Sequence, residues 1–370
     1  MKILHIINLM KLGGAQSLLV SLTKEQKAAG HEVEILQLVE TPDKTLIEQV
    51  EANGIPVVTL SKGNSVYSPF KVFPLIKHLK ACDIAHVHLF PAQYWVVFAK
   101  LISGVKIPLV TTEHSTQNKR RKKQVWQFID TWIYKKYDCV VACAEKALET
   151  FKRDYPDKSI KCIAIPNGVD VKKYHDAESY SKKYLLGCKE KDVIITMVAR
   201  FAYPKRQDTL VKSLKYLPEQ CHVALVGGCE TNDEGLEKMR SLSEEIGVGP
   251  RVHFLYARKD VPQILKSSDF IVMSSEYEGL SLSSLEGMAS GVFLASEVNG
   301  LKEVVEGAGI LFKSCDENDL ASKIRSLLSD KQLYEDVKER CYRRAKEYDI
   351  GEMSRRYIDI YKLCFKKYSN

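Results

Sequence analysis

The chain has 370 residues, of which 45% are hydrophobic and 28% are charged, and its formal net charge is +8 at pH 7. This length and apolar content can bury a large core and favour two domains, which excludes a disordered chain. The first apolar run, residues 3–10, is short and contains polar residues, and no run of about 18 apolar residues follows. We therefore expect no signal peptide and no membrane span, and we expect the protein to be cytoplasmic.

The positive charge is concentrated in the N-terminal half. Residues 1–189 carry 28 Lys and Arg against 18 Asp and Glu, whereas residues 190–370 carry 27 against 29. Such an excess indicates a polyanionic partner, which is nucleic acid, anionic lipid headgroups or a phosphorylated acceptor. No recognition helix, zinc-finger spacing or ribonucleoprotein motif is visible, so we do not expect nucleic acid.

The ten cysteines are scattered without a CxxC pair or a regular spacing. Cys139 and Cys143 have a helical spacing, but the run between them predicts a strand and no further ligands accompany them. His86 and His88 alternate on one strand face, where histidines are more often hydrogen-bonded than metal-bound. We interpret the cysteines as reduced thiols and predict no metal site.

Short β-branched runs alternate with amphipathic helices along the whole chain, which is typical of parallel sheets covered on both faces. The first series of predicted strands covers residues 3–7, 32–38, 84–88, 109–112, 139–142 and 160–165. A polar segment at residues 170–192 is interpreted as a linker. The second series covers residues 193–198, 223–226, 252–255, 270–273 and 292–295.

This pattern predicts an α/β protein of two doubly wound, Rossmann-like domains that face each other across a cleft. We place the N-terminal domain at residues 1–175 and the C-terminal domain at residues 176–351. In such sheets ligands bind at the carboxyl ends of the strands, so the residues that follow each strand are the candidates for a site.

Gly13 and Gly14 follow the first strand and open a helix that continues to Lys27. Two glycines in this place let backbone amides approach a phosphate or a sugar closely. The GxGxxG spacing of a dinucleotide site is missing, and an ordinary loop-to-helix turn explains the pair equally well.

Arg200 and Lys205 occupy the equivalent loop after the first strand of the second series. A guanidinium and an ammonium at the carboxyl end of a strand can neutralise a diphosphate. Their position, and not their charge alone, distinguishes them from ordinary surface residues.

Residues 118–123, Asn-Lys-Arg-Arg-Lys-Lys, precede a predicted amphipathic helix. The apolar residues of one helical face are Val125, Ile129, Trp132 and Ile133. One interpretation is that the helix packs on its own sheet. The other is that the cluster, with Lys119, Arg120 and Arg121, binds a lipid-linked pyrophosphate or an anionic membrane surface.

Glu278 and Glu286, with seven residues between them, flank a predicted strand-to-helix turn. The helix is predicted at residues 281–290. The free amides at its start would attract a diphosphate, and the two carboxylates would accept hydrogen bonds from sugar hydroxyls. Solvated glutamates on an ordinary strand-turn-helix unit are the alternative.

Three motifs occur together and in order: Gly13-Gly14, Arg200 with Lys205, and Glu278 with Glu286. In these motifs the sequence resembles glycosyltransferase family 4, the retaining, nucleotide-sugar-dependent transferases with the GT-B fold. Residues 165–170, Ile-Pro-Asn-Gly-Val-Asp, also resemble the segment that ends that family's N-terminal domain. The similarity spans nearly the whole chain.

The resemblance implies that Glu278 holds hydroxyls of the donor sugar and that Glu286 holds those of the ribose. Arg200 and Lys205 would bind the diphosphate and stabilise the negative charge that builds on it as the glycosidic bond breaks. His114 matches the family's active-site histidine. The donor site would further include Gly13, Gly14, Tyr256, Gly279, Leu280, Ser281 and Leu282.

The family works without a metal, and the chain has no Asp-x-Asp pair to hold a divalent cation on a diphosphate. The family often has a histidine at the place of His88, which would line the acceptor cleft. In the GT-B fold the C-terminal helix crosses back, so residues 352–370 are expected to pack on the N-terminal domain.

We therefore predict a retaining, metal-independent glycosyltransferase without a cofactor. It would move a hexose or N-acetylhexosamine from a nucleotide diphosphate sugar to a sugar acceptor. The expected acceptor is a lipid-linked intermediate of surface polysaccharide synthesis, at the inner face of the cytoplasmic membrane. The alternatives are a nucleotide-sugar 2-epimerase of the same architecture and a non-catalytic two-domain ligand-binding protein.

Overall fold

The computed structural model describes residues 1–11, 13–63, 65–114, 124–228, 233–278 and 281–368. The chain divides into two compact units. The first is made of Met1–Gly168 with Ile350–Asn370, and the second of Val169–Asp349. Within the described ranges, no helix has both the length and the apolar character needed to cross a bilayer.

The first unit contains a seven-stranded, all-parallel sheet. Its strands are β1 (Lys2–Ile7), β2 (Glu32–Gln37), β3 (Val57–Thr59), β4 (Ile84–His88), β5 (Leu109–Glu113), β6 (Cys139–Ala142) and β7 (Cys162–Ala164). Their order across the sheet is β3-β2-β1-β4-β5-β6-β7, which reverses between β1 and β4. The helices between them are α1 (Gly14–Ala28), α2 (Thr45–Ala52), α3 (Val72–Leu79), α4 (Ala92–Ser103), α5 (Gln124–Tyr134) and α6 (Glu145–Asp154).

The second unit contains a six-stranded parallel sheet. Its strands are β8 (Val193–Val198), β9 (Cys221–Val226), β10 (Val252–Tyr256), β11 (Phe270–Met273), β12 (Phe293–Ser296) and β13 (Ile310–Phe312). Their order is β10-β9-β8-β11-β12-β13, which reverses between β8 and β11.

The helices of the second unit are α7 (Val171–His175), α8 (Lys182–Leu186), α9 (Gln207–Ser213), α10 (Glu234–Glu245), α11 (Val261–Lys266), α12 (Leu282–Ser290), α13 (Lys302–Val305), α14 (Glu317–Ser329) and α15 (Lys331–Glu347). The two sheets confirm the predicted class of two doubly wound α/β domains. In each sheet a ligand crevice is expected outside the carboxyl ends of the two strands where the order reverses.

The segment interpreted as a linker, residues 170–192, is instead folded into the second unit as α7 and α8. Asp170 caps α7 by accepting a hydrogen bond from the Lys173 amide at 3.1 Å, and Ser181 caps α8. Val171 and Tyr174 of α7 are buried. The interpretation was wrong because a five-residue helix with two buried side chains is too short to show a periodic apolar pattern.

The chain ends in α16 (Ile350–Lys366), which belongs to the first unit and packs on α1. Its buried side includes Met353, Tyr357, Tyr361 and Cys364, at the spacing of one helical face. This helix also carries hydroxyl groups into the core. The Tyr361 hydroxyl lies 2.6 Å from Nδ1 of His86, and that of Tyr357 lies 2.9 Å from the Thr112 hydroxyl.

Gly227 and Gly228 follow β9 and face the loop after β8. Gly227 has a φ of +155°, and a Cβ built there would overlap the carbonyl oxygen of Ala199. The amide of Phe201 donates to the carbonyl of Gly228 at 3.0 Å. Glycine at position 227 therefore lets the loop that carries Arg200 lie directly against β9.

We expect Gly227→Ala to destabilise the second unit by at least about 3 kcal/mol, because a backbone oxygen has to move away and the backbone conformation is strained. Gly228→Ala is the matched control, since the nearest atom to its Cβ would be the Ala257 Cβ at 3.7 Å. It should cost less than about 1 kcal/mol. Urea unfolding followed by far-UV circular dichroism measures both variants. A Gly227→Ala protein as stable as the wild type contradicts this packing.

Candidate functional site

The loops after β8 and β11 are joined by hydrogen bonds, because these neighbouring strands end at the same edge of the sheet. The Ser274 hydroxyl donates to the carbonyl of Arg206 at 2.7 Å. The amide of Glu276 donates to the carbonyl of Pro204 at 2.9 Å. The two loops thus form one surface at the point where the strand order reverses.

Lys205 and Glu278 form an ion pair on this surface, between Nζ and Oε1. The Ser275 hydroxyl donates to the same carboxylate oxygen at 2.7 Å. The side chains of Lys205 and Glu278 are only 20% and 11% exposed. A cation and a carboxylate are therefore held side by side, and both are partly removed from water.

Arg200 lies at the start of the same loop and is exposed. Its carbonyl accepts a hydrogen bond from the Gln207 side-chain amide at 2.8 Å, which ties the loop to the first residue of α9. Tyr256, at the end of β10, is 53% exposed, and its hydroxyl accepts from Nη2 of Arg240 at 3.4 Å. Both residues lie at the carboxyl edge of the second sheet.

Glu286 lies in the second turn of α12, where Tyr174 of α7 donates a hydrogen bond to Oε1 at 2.7 Å. Burial raises the pKa of Glu286 above its usual range, and the hydrogen bond from Tyr174 opposes that rise. Tyr174 and Ser275 orient the two glutamates and were missed by the sequence analysis. Neither residue stands in a recognisable motif, so only the fold could identify them.

The start of α12 is suited to an anion. Ser281 is its N-cap and makes no side-chain capping hydrogen bond, and the first turn contains no acidic residue. Leu282 is the first helical residue. The amides there keep the positive end of the helix dipole without a carboxylate from the helix itself. Gly279 and Leu280, also predicted for this site, lie outside the described residues.

In the first unit, Gly13 immediately precedes α1 and Gly14 is its first residue. The Gly13 backbone is extended, and a Cβ there would come too close only to the flexible side chain of Gln16, with the Lys11 carbonyl oxygen at an ordinary contact distance of 3.8 Å. The protein's own packing therefore does not require glycine at position 13. The first turn of α1, like that of α12, contains no acidic residue.

His114 follows β5 and ends a row of buried imidazoles. Its Nε2 lies 3.1 Å from Nδ1 of His88. Nε2 of His88 lies 3.1 Å from Nδ1 of His5, and Nε2 of His5 lies 2.7 Å from Oε1 of Gln26. The four side chains form one hydrogen-bonded row from α1 to the end of β5.

The Gln26 oxygen can only accept, so Nε2 of His5 carries the proton. Nδ1 of His5 then accepts from His88, and Nδ1 of His88 accepts from His114. This direction leaves Nδ1 of His114 as a hydrogen-bond acceptor. Burial lowers the pKa of His5 and His114 to about 4, and it lowers the pKa of His88 well below the usual value. His114 is therefore neutral and suited to a hydroxyl group.

His88 was expected to line the acceptor cleft, and in the structure its ring lies between those of His5 and His114. Its side chain is 3% exposed, and both ring nitrogens are engaged by other imidazoles. A buried ring without an available nitrogen cannot bind an acceptor, so His88 orients His114 instead. Lys119, Arg120 and Arg121, the other candidates for an acceptor or membrane contact, lie outside the described residues.

The predicted apolar face of α5 is divided between core and surface. Ile133 is fully buried and Ile129 packs against the core of the first unit. Val125 is 72% exposed, and Trp132 is 40% exposed. The helix thus packs on its own unit and also presents apolar residues to solvent.

Comparison with known proteins gives matches along most of the chain. Residues 12–173 match the family model described as Glycosyltransferase Family 4, and residues 181–344 match the model described as Glycosyl transferases group 1. The chain is 29% identical over 214 residues to the N,N'-diacetylbacillosaminyl-diphospho-undecaprenol alpha-1,3-N-acetylgalactosaminyltransferase of Campylobacter jejuni, covering 55% of each chain. It therefore spans about half the length of this relative.

A second relative is the UDP-Gal:alpha-D-GlcNAc-diphosphoundecaprenol alpha-1,3-galactosyltransferase of Escherichia coli, 26% identical over 300 residues that cover 76% of this chain and 75% of that one. Among solved structures, Anabaena Alr3699/HepE in complex with UDP and glucose has a TM-score of 0.83 at 21% identity, covering 97% and 98% of the two chains. Together with the two parallel sheets, this likeness confirms the two-domain α/β GT-B fold.

Acidification should destabilise the first unit through its buried histidines. The pKa of His5 and of His114 is about 4 in the folded protein, against about 6.5 in an unfolded chain. The unfolded chain takes up protons first, so stability falls as the pH drops from about 6.5 towards about 4. All three tryptophans, Trp95, Trp126 and Trp132, belong to the first unit, so tryptophan fluorescence during urea unfolding reports on this unit alone.

A His114→Asn variant lacks one of these groups, so its unfolding free energy should depend less steeply on pH. The slope should correspond to the uptake of up to one proton fewer on unfolding. Equal stability of the wild-type first unit at both ends of this pH range would show that its histidines are not held neutral.

Proposed function

Because the chain belongs to glycosyltransferase family 4, we propose that it is a retaining, metal-independent glycosyltransferase that uses a nucleotide diphosphate sugar. The observation that supports this best is the Lys205–Glu278 pair at the reversal point of the second sheet. In a sugar diphosphate, anionic phosphate oxygens and sugar hydroxyls are separated by only a few bonds. The ammonium can bind a phosphate oxygen, and the neighbouring carboxylate can accept a hydrogen bond from a sugar hydroxyl.

The diphosphate would lie between Lys205, Arg200 and the start of α12. Lys205 has three N–H donors, so it can keep its bond to Glu278 while another donor binds a phosphate oxygen. Glu278 would accept from sugar hydroxyls, and Glu286 would accept from the ribose. His114, with its acceptor nitrogen, would bind a further sugar hydroxyl.

The positive groups would act on the leaving group. As the bond between C1 of the sugar and the diphosphate breaks, negative charge develops on the diphosphate, and Lys205 and Arg200 would stabilise it. The acceptor hydroxyl would attack from the same face, and its proton would pass to a diphosphate oxygen. The configuration at C1 is then retained without a protein nucleophile. Glu278 suits a binding role, since its Oε1 already accepts from Lys205 and Ser275.

The acceptor would be a sugar on a lipid diphosphate at the inner face of the cytoplasmic membrane. The Campylobacter and Escherichia relatives are both named for an acceptor linked to diphospho-undecaprenol. UDP-sugars are the first donors to test, since the Escherichia name specifies UDP-Gal and the Anabaena structure contains UDP. The relatives are transferases, so a 2-epimerase and a non-catalytic binding protein are not favoured.

The first unit would bind an anionic membrane surface through exposed apolar residues of α3, α4 and α5, and the basic residues 119–123 precede α5 in the sequence. α4 contacts both α3 and α5. The large exposed apolar and aromatic side chains on these helices and in the segment just before α3 are Tyr67, Phe70, Phe73, Leu101, Ile102, Val125, Trp126, Phe128 and Trp132. Aromatic side chains beside lysine and arginine are the combination that binds an anionic bilayer interface.

UDP should raise the melting temperature of the wild-type protein in the presence of EDTA, because a ligand that binds only the folded state stabilises it. Lys205→Met should lower the affinity for UDP about 10- to 100-fold, since it removes a charge-assisted hydrogen bond. Lys212→Met is the matched control, because this lysine pairs with Asp208 on α9. Stabilisation that requires Mg²⁺ contradicts metal independence. Equal UDP affinity in the two variants contradicts the phosphate position.

Tyr174→Phe should move the loss of UDP affinity at low pH to a higher pH. Ionised Glu286 accepts from the ribose, and it becomes protonated as the pH falls through its raised pKa. The Tyr174 hydrogen bond favours the charged carboxylate, so its removal raises that pKa further. Calorimetric titration of UDP across the acid range measures the midpoint. An unchanged midpoint in Tyr174→Phe would show that the protonation of Glu286 does not control nucleotide binding.

The wild-type protein should sediment with vesicles that contain anionic phospholipid at low salt, and less at high salt. Phe70→Ser combined with Phe128→Ser should reduce the bound fraction several-fold, since both side chains are more than 70% exposed. Tyr184→Ser, at an equally exposed aromatic of the second unit, is the control. Wild-type sedimentation that equals that of the double variant would exclude this surface as the membrane contact.

A further inference from the structure

A cluster of metal-ligating side chains lies at the amino edge of the second sheet, opposite the carboxyl-edge loops. Cys188 precedes β8, His222 is the second residue of β9, and His253 is the second residue of β10. One ligand atom from each lies within 4.8 Å of the other two. We call these three residues the amino-edge cluster.

The strand register places the two imidazoles on one face. Val223 pairs with Val252 and Ala224 pairs with His253, so His222 and His253 point to the same side of the sheet. Nδ1 of His222 lies 3.2 Å from Nε2 of His253. Tetrahedral zinc, with bonds of about 2.0–2.3 Å, separates its ligand atoms by about 3.3–3.8 Å. The two nitrogens thus have nearly the separation that zinc requires, and the sulfur needs a movement of about 1 Å.

The carboxylate of Asp192 lies near the imidazole of His222. Nε2 of His222, the nitrogen that faces away from His253, lies 3.8 Å from Oδ2 of Asp192. Asp192 is itself held in place, since it accepts from the amide of Lys189 at 2.8 Å. Metal-bound histidines typically donate their second N–H to such a carboxylate, which directs the other nitrogen to the metal.

The charges of the surroundings also suit a divalent cation. The Cys188 thiolate and the Asp192 carboxylate together would balance two positive charges. Two basic side chains act on the cluster, and both have other partners. Lys182 pairs with Asp269 at 2.7 Å, and Arg251 donates to the carbonyl of Leu214 at 2.8 Å.

The titration of the three groups has a consequence for the free thiol. Burial raises the pKa of Cys188 and lowers the pKa of His222 and of His253. Zinc is bound by a thiolate and by neutral imidazoles, so binding to this cluster would release the proton of the Cys188 thiol. Without a metal, Cys188 is a poor nucleophile.

A second trio in the described ranges, His5, His86 and His88, meets the same distance condition. Its ring nitrogens already bind protein groups, among them Gln26 and Tyr361. A metal would have to displace these bonds inside a fully buried core. The amino-edge cluster would give up two hydrogen bonds, the one between its two imidazoles and the one that the Cys188 thiol donates to the carbonyl of Leu186 at 3.9 Å, and both rings are partly exposed.

We propose that Cys188, His222 and His253 bind one Zn²⁺ ion, with Asp192 orienting His222 and water in the fourth position. Zinc accepts mixed thiolate and imidazole ligands in a tetrahedral arrangement. The ion would connect three chain segments that enter adjacent strands, so its role is to stabilise the second unit. It lies at the edge opposite the proposed donor site and takes no part in the sugar transfer.

The test uses the full-length protein, stripped of metal with EDTA under reducing conditions and freed of the chelator. Zn²⁺ alone is titrated in competition with a chromophoric chelator, and one equivalent should bind. Cys188→Ser and His253→Gln should each lower the affinity at least about 100-fold, and Asp192→Asn should lower it about 10-fold. Cys315→Ser and His175→Gln are matched controls, since neither residue belongs to the cluster, and both should bind as the wild type does.

Co²⁺ gives an independent readout on the wild-type protein. A thiolate-to-cobalt charge-transfer band should appear in the wild type and be absent in Cys188→Ser. If the variants fail to fold without metal, as judged by circular dichroism, the wild-type stoichiometry and this band decide. No stoichiometric Zn²⁺ binding by the wild type, or unchanged affinity in Cys188→Ser, overturns the inference.

The inference does not depend on the donor site. UDP binding is measured on the same metal-free protein below its melting temperature. UDP binding without Zn²⁺ binding removes only the zinc site, and Zn²⁺ binding without UDP binding removes only the proposed donor site.

Discussion

The surface formed by the loops after β8 and β11 depends on one constraint, the reversal of strand order between these two strands. Parallel neighbours end at the same edge, so two loops that are far apart in the sequence share backbone hydrogen bonds there. The bonds from Ser274 and Glu276 fix the distance between the loops. Only then can Lys205 reach Glu278, and the pairing of these two groups gives the surface both a cation and a carboxylate.

In the first unit, polar imidazole rings are buried against a parallel sheet. Buried imidazoles are costly unless each nitrogen finds a partner. The row from Gln26 through His5 and His88 to His114 satisfies them in one direction and keeps them neutral. The last helix contributes to the same network through Tyr361, which bonds to His86. The C-terminal segment therefore completes the polar interior of a unit whose other residues come from the start of the chain.

The sequence predicts most of this architecture, because apolar runs bounded by turn residues identify buried parallel strands. Residues 270–273 were predicted as a strand and form β11 with the same bounds. β3 and β13, of three residues each, were missed, whereas the equally short β7 was found within the longer run predicted at residues 160–165. The segment at residues 170–192 was misinterpreted because its lysines and tyrosines make it look polar, so the sequence does not indicate that Tyr174 is buried.

Contacts between residues that are distant in the chain could not be predicted from the sequence. Lys205 and Glu278 were each assigned to a different part of the donor, and nothing in their spacing indicated that they contact each other. His88 was predicted from the resemblance to line the acceptor cleft, and the sequence did not indicate that its ring lies between those of His5 and His114. His222 and His253 belong to no short motif, because a shared sheet face and not a sequence interval brings them together.

The first turns of α1 and α12 carry a common electrostatic feature. Each helix follows a strand at the reversal point of its own sheet, and neither has a side-chain cap or an acidic residue in its first turn. Some other helices do carry such groups, as α14 does with Asp316 and Glu317, whereas α3, α4 and α11 lack them as well. A capping carboxylate would add stability, but it would also cancel the positive end of the dipole. Its absence at the start of α1 and of α12 leaves the helix dipole available to an anionic ligand. In the second unit the Lys205 cation, paired with Glu278, belongs to the loop surface that precedes α12 in the sequence.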